Sequence, residues 1–184
     1  MQVGLVEQAQ RGDAEAFDSL ARMVGDTCLA IAVRILRDVD LAEDAVQGAL
    51  ITAWHELRTL RDPSRFEPWL HRILTNACYD EARRRTRWSE GLRILPVAGA
   101  RSPDEYLTVD DRDLLERALR RLTVEQRAVL VFHHYLGLSI SEVADHIGIP
   151  DGTAKSRLHH ATRQLRASIE ADARSTAESQ ERMA

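Results

Sequence analysis

Apolar residues recur at helical spacing along almost the whole chain. Leu41, Ala45, Ala49 and Ala53 return every four residues, with Leu50, Trp54 and Leu57 beside them, an apolar stripe of the kind a bundle helix buries. Upstream, Gly12-Asp13 ends a short first helix and caps a second over about 14–37, which Asp38-Val39-Asp40 interrupts. Residues 58–65 contain Asp62-Pro63-Ser64 and read as a loop. The next helix spans about 66–87, with Trp69, Leu70, Ile73, Ala77 and Cys78 on its buried side. No segment shows the strict apolar–polar alternation of a half-buried strand.

The periodicity fails over 88–103, where Gly91, Pro96, Gly99, Ser102 and Pro103 punctuate the chain. Helices resume near Thr108. Thr123-Val124-Glu125-Gln126 and Ser139-Ile140-Ser141-Glu142 both fit the capping box and mark two helix starts. Leu136-Gly137-Leu138 separates these two helices, and Gly148-Ile149-Pro150 precedes another. The pattern predicts an all-α protein of two small helical domains, 1–87 and 108–172, joined by a flexible linker over 88–107 and followed by a disordered polar tail over 173–184.

Charge divides this helical chain into surfaces with different partners. The net charge is only −4, which argues against indiscriminate nucleic-acid binding. Its distribution is uneven. Residues 36–56 carry Arg37 against Asp38, Asp40, Glu43, Asp44 and Glu56. Residues 72–93 carry Arg72, Arg83, Arg84, Arg85, Arg87 and Arg93 against Asp80, Glu81 and Glu90. Residues 151–166 carry Lys155, Arg157, Arg163 and Arg166 against Asp151. One acidic and two basic segments point to different binding surfaces.

Enzyme chemistry is not indicated. The chain has no Gly-rich phosphate loop, no Cys/His spacing for zinc and no Ser/His/Asp constellation. No cofactor or metal is expected. Cys28 and Cys78 lie in apolar helical stretches and read as buried free thiols. No apolar run approaches the roughly 18 residues of a membrane span, and Met1-Gln2-Val3-Gly4 lacks the start of a secretory signal. A cytoplasmic location is the default expectation.

The C-terminal half predicts a DNA reader. A short helix, a Gly-containing turn and a longer helix form the helix-turn-helix arrangement. Ile140, Val143, Ala144 and Ile147 would pack the first helix, and Ala154, Leu158, Ala161 and Leu165 form the stripe of the second. At about 100° per residue, Ser156, His159 and Arg163 lie nearly opposite that stripe, flanked by Lys155 and His160. Gly152 and Thr153 at its amino end let backbone amides approach phosphate. His133-His134 sits in an apolar helix and reads as structural.

Longer motifs add to this reading. Asp40-Leu-Ala-Glu-Asp-Ala-Val-Gln47, Trp54, Phe66-Glu-Pro-Trp69-Leu-His-Arg72-Ile73, Asn76, Asp80 and Arg83-Arg-Arg85 follow one another in order. They resemble the second conserved region of extracytoplasmic-function sigma factors of the sigma-70 family. Leu122 to Leu130, Gly137 to Ala144 and Gly152-Thr-Ala-Lys-Ser-Arg-Leu158 resemble that family's fourth region. The resemblance implies that 1–87 binds core RNA polymerase and recognises and melts the −10 element, and that 108–172 recognises the −35 element. Asp40, Glu43, Asp44 and Gln47 would dock on the coiled coil of the largest subunit. Leu60, Arg61, Ser64 and Arg65 would capture a flipped −10 base with Asn76, while Arg72, Arg83, Arg84 and Arg85 follow the backbone. Gly152, Thr153, Lys155, Ser156, Arg157, His159, His160 and Arg163 would contact the −35 element, while the fourth region rests on the flap of the second-largest subunit. An anti-sigma partner is also implied.

The linker suits this division. About 20 residues at ~3.3 Å each reach ~65 Å, beyond one DNA turn of ~34 Å. Gly48 stands where Glu is usual in the family, Leu60 where an aromatic is frequent, and His160 and Thr162 where arginines are common. A competing expectation is a stand-alone helix-turn-helix regulator that finds its operator without polymerase. Residues 1–90 lack the strand-aspartate pattern of a phosphoacceptor domain.

Overall fold

The computed structural model describes residues 2–91 and 109–181, with side chains over 2–88 and 113–172. Most of the expected linker, residues 92–107, lies outside the described residues. Among these residues every regular element is a helix or a helical turn. None of the described helices is long and apolar enough to cross a membrane.

The N-terminal half contains α1 (Gln2–Gln10), α2 (Ala14–Leu36), α3 (Val39–Glu56) and α4 (Phe66–Gly91). Local signals set its boundaries. Asp13 caps α2 by accepting from the amides of Glu15 and Ala16 at 3.0 and 3.1 Å. Arg37, left-handed at φ 58°, ends α2, and Asp38 caps α3 by accepting from Leu41 N–H at 3.2 Å. Two 3-10 turns, Leu57–Thr59 and Pro63–Arg65, occupy the expected loop. Gln10 fixes that loop from a distance, its amide donating to the carbonyls of Leu57 and Leu60 at 3.0 and 2.7 Å.

Helix α3 buries small residues, Ala42, Ala45, Ala49 and Ala53, so its backbone comes close to its neighbours α2 and α4. Leu20, Ile31 and Ile35 of α2 and Leu70 and Leu74 of α4 supply the bulk. Trp54 differs from expectation: it stands at the edge, 36% exposed, tilted against Phe17 with ring centroids 4.9 Å apart. Cys28 and Cys78 are buried and free, and burial pushes their thiols up to about 11 and about 12.

The C-terminal half contains α5 (Val109–Arg120), α6 (Val124–Leu130), α7 (Ile140–Ile147) and α8 (Asp151–Glu181). Both expected capping boxes form, Thr123 with Gln126 and Ser139 with Glu142. A π-helical turn, Val131–Tyr135, follows α6. His133 Nδ1 lies 2.7 Å from the carbonyl of Leu138, a structural contact as expected. Gly148 ends α7 in the left-handed region at φ 77°. Helix α4 continues to Gly91 and α8 to Glu181, beyond the ends expected at about 87 and 172. The Ala-, Glu- and Arg-containing sequence after Asp172 has good helix propensity and no Gly or Pro to stop it.

The two halves share a core. Phe132, Val143, Ala144, Ile147 and Ala154 join the buried cluster of the N-terminal bundle. The cluster internal to the C-terminal half is small, built on Leu122, Leu130 and Ala161. So little area stabilises a helix-turn-helix weakly by itself, and its apolar face is completed by α4 and α2. Arg127 of α6 fastens this contact. Its guanidinium donates to the Ile35 carbonyl near the C-terminus of α2 and, at 2.9 Å, to the Leu122 carbonyl, where a cation is favoured by the helix dipole. Arg37 and Glu116 form a second cross-contact, Nε to Oε1 at 3.2 Å.

Candidate nucleic-acid and protein interfaces

Three surfaces collect the residues singled out by sequence. On the first, Asp40, Glu43, Asp44 and Gln47 all stand exposed along α3, because its alanine stripe turns the opposite face inward. That exposed stripe continues into Ile51, 53% exposed, and Trp54. These two, with Ala14, Phe17, Asp18, Ala21, Leu50 and His55, line an open apolar groove of about 430 Å³. Sequence reasoning missed this apolar extension, assigning Trp54 to the interior. The signal was the repeat 40, 47, 51, 54, which falls on one helical face.

The second surface is a cleft of about 330 Å³ at the 3-10 turns, lined by Thr59, Leu60, Arg61, Asp62, Arg65, Pro68, Trp69 and Arg72. Leu60 is buried at 8% exposure and serves as wall, while Arg61, Arg65 and Arg72 supply cations. Asp62 shapes the turn by accepting from Ser64 N–H at 3.0 Å and from its hydroxyl at 2.6 Å. Those two hydrogen bonds hold the Asp62 carboxyl below its usual value. Asp145 of α7 closes the cleft and pairs with Arg65.

Asn76 is not brought into this cleft. It lines a separate groove between α3 and α4 with Asp44, Gly48, Thr52, Glu56, Asp80 and Glu81. The arginine run lies toward that side as well. Arg83 pairs with Asp80 at 2.5 Å, Arg84 with Glu81 at 2.6 Å and Asp44 at 3.3 Å, and Arg85 with Asp38 at 2.6 Å. These exposed pairs are each worth little energetically, but they join the acidic stripe to the basic run.

The third surface is the outer face of α8. Gly152, Lys155, Ser156, His159, His160 and Arg163 are exposed, opposite the buried Ala154 and Ala161. Ser156 turns its hydroxyl back to the Thr153 carbonyl at 3.0 Å. Thr153 and Arg157 are half-buried. The Arg157 guanidinium lies against Tyr79 of α4, whose hydroxyl is pushed up to about 12, chiefly by burial.

Residues 20–88 match the family described as Sigma-70 region 2, and residues 112–165 match Sigma-70, region 4. The chain is 35% identical over 167 residues to the ECF RNA polymerase sigma factor SigL of Mycobacterium tuberculosis, covering 86% of this chain and 94% of that protein. The chain belongs to the extracytoplasmic-function sigma factors of the sigma-70 family. Other sigma factors of this type are similar along most of their length. SigM of M. tuberculosis is 36% identical over 156 residues, with 84% of this chain and 77% of SigM covered. SigW of Bacillus subtilis is 27% identical over 173 residues, with 88% and 92% covered.

The fold is shared with two solved structures. RpoE from Bartonella quintana, in complex with the anti-sigma factor NepR, aligns with a TM-score of 0.69 at 28% identity, covering 86% of this chain and 99% of that one. CnrH, in complex with the cytosolic domain of CnrY, aligns with a TM-score of 0.65 at 27% identity, covering 93% and 98%. The region 2 match over the N-terminal half leaves the stand-alone regulator without support, since such a regulator needs a different partner domain.

Proposed function

We propose that this sigma factor binds core RNA polymerase and directs transcription initiation at promoters with −10 and −35 elements. The observation that carries the proposal is the order of regions 2 and 4 on one chain, each with exposed charge suited to its role. The acidic stripe Asp40, Glu43, Asp44 and Gln47 faces the basic coiled coil of the largest subunit, and Ile51 and Trp54 extend it with apolar area. The turn cleft takes a base extruded from the −10 strand. Extrusion costs a few kcal/mol of unstacking, which Trp69 and the cations Arg61, Arg65 and Arg72 offset. The outer face of α8 reads the −35 element, with Lys155 and Arg163 as cations and His159 and His160 as hydrogen-bonding groups. The C-terminal half rests on the flap of the second-largest subunit.

Asn76 and Arg83, Arg84 and Arg85 sit one face away from the cleft, so their part is contact with flanking strand or polymerase rather than with the captured base. An anti-sigma factor is a further partner, as NepR is for the solved relative RpoE. The deciding experiment is run-off transcription with core polymerase on genomic fragments. New initiation sites are expected on adding the chain, and their absence sinks the reading. Asp44→Arg should abolish core association, whereas Lys155→Ala should spare it and weaken initiation roughly 5- to 150-fold, the range for one base contact of about 1–3 kcal/mol.

A further inference from the structure

The contact between α4 and α7 contains a feature that neither region needs by itself. His71 Nδ1 and His146 Nδ1 meet at 2.8 Å, with ring centroids 5.0 Å apart. His71 is buried at 8% exposure, and Phe132 closes over the pair, edge-on to His71 at 5.4 Å and to His146 at 6.0 Å. A hydrogen bond between two ring nitrogens needs one to donate and the other to accept, so the two Nδ1 atoms hold one proton between them. A first added proton places a cation in an apolar contact, and a second leaves two donors facing each other.

Around this pair the same closed arrangement engages three arginines that the sequence assigns to DNA contact, Arg65, Arg72 and Arg157. Arg65 is paired with Asp145 in the cleft. The stem of Arg72 packs so closely on Gly148 that a Cβ there would stand 2.5 Å from Arg72 Cδ. Arg157 is turned inward against Tyr79.

We propose that His71 and His146 form a proton-operated latch that holds the two halves in this self-masked arrangement and releases the DNA-binding cations in mild acid. What is released rests on the function proposed above; the latch itself does not. The charged groups that reach His146 are Glu67 of α4, Arg65 of the preceding turn, and Asp145 and Glu142 of α7. The carboxylates favour its charged form and Arg65 opposes it. Burial outweighs them and lowers His146. His71 is lowered to about 4 by burial first and by His146 second.

Opening returns both rings to water, where imidazole titrates near 6.5. The open form therefore binds more protons at pH values below about 6.5, and the closed form loses ground as pH falls from there toward 4. Each histidine that gains a proton on opening shifts the open-to-closed ratio by up to about tenfold per pH unit.

Small-angle X-ray scattering on the full chain at pH 7.5 and 5.5, with far-UV circular dichroism alongside, tests the latch. Wild type should be compact at pH 7.5, near ~16 Å radius of gyration for this length. It should expand at pH 5.5 with its helicity intact. His146→Gln and His71→Gln keep a polar side chain that cannot charge. Compact variants that stay compact at pH 5.5 support the latch, as do variants already expanded at pH 7.5, because the pair then holds the halves together. An unchanged wild-type radius, expansion accompanied by loss of helix, or compact variants that expand as wild type does would each overturn it. Run-off transcription scores the function separately. A chain that opens in acid yet initiates nowhere sinks the polymerase reading and keeps the latch; one that initiates but never opens does the reverse.

Discussion

The two halves of this sigma factor are stabilised in different ways. Region 2 fills its own interior, with Leu20, Ile31, Ile35, Leu70 and Leu74 packed around the alanine face of α3. Region 4 specifies its helices locally, through two capping boxes and the Gly148 turn, yet has a small private core of Leu122, Leu130 and Ala161. Its remaining apolar face is satisfied by region 2. A module whose secondary structure is written locally and whose burial is borrowed can dock on another partner without redesign. That suits a factor whose two regions must serve separate promoter elements.

The largest test of this difference is Phe132→Ala. Phe132 is fully buried in the shared cluster, and truncation should cost about 3–5 kcal/mol. Urea unfolding followed by circular dichroism measures it; a loss below about 1 kcal/mol would mean that region 4 does not depend on the common core. Arg127→Met comes next. It keeps apolar volume but leaves the Ile35 and Leu122 carbonyls without their donor, at about 1–3 kcal/mol. Hydrogen exchange should rise in α6 before it rises in α3, and the opposite order would contradict the comparison.

Smaller effects sharpen the local side of the argument. Ser139→Ala removes the acceptor for Glu142 N–H and should cost about 1 kcal/mol. The loss should show as fraying of α7, with α2 and α3 unaffected. Smallest is Arg22→Ala, which breaks an exposed pair with Asp18. It should change stability by less than about 0.5 kcal/mol, and a shift above 1 kcal/mol would show that α2 carries surface energy the packing does not reveal.

Much of the molecule was legible beforehand because its signals are short in range. The helix starts at Thr123 and Ser139, the exposed acids of α3 and the outer face of α8 follow from capping and from the helical repeat alone. The cleft was half legible: Leu60, Arg61, Arg65 and Arg72 converge, whereas Asn76 lies in another groove. A motif gives order along the chain, and the side of the helix each member faces is decided by what packs on it. Trp54 was misplaced for the same reason, since a large aromatic fits either the interior or an edge beside Phe17.

By itself the sequence determined an all-helical chain with one acidic and two basic segments, the basic outer face of α8 and the residues that cap α2, α6 and α7, because period, propensity and capping act within a few residues. Only the tertiary structure decided that region 4 leans on region 2, that Asp145 enters the cleft, and that His71 meets His146. Those partners are separated by 75 residues or more, and no local rule specifies which apolar face will cover which. That choice belongs to the burial of surface, which is settled only when the whole chain has packed.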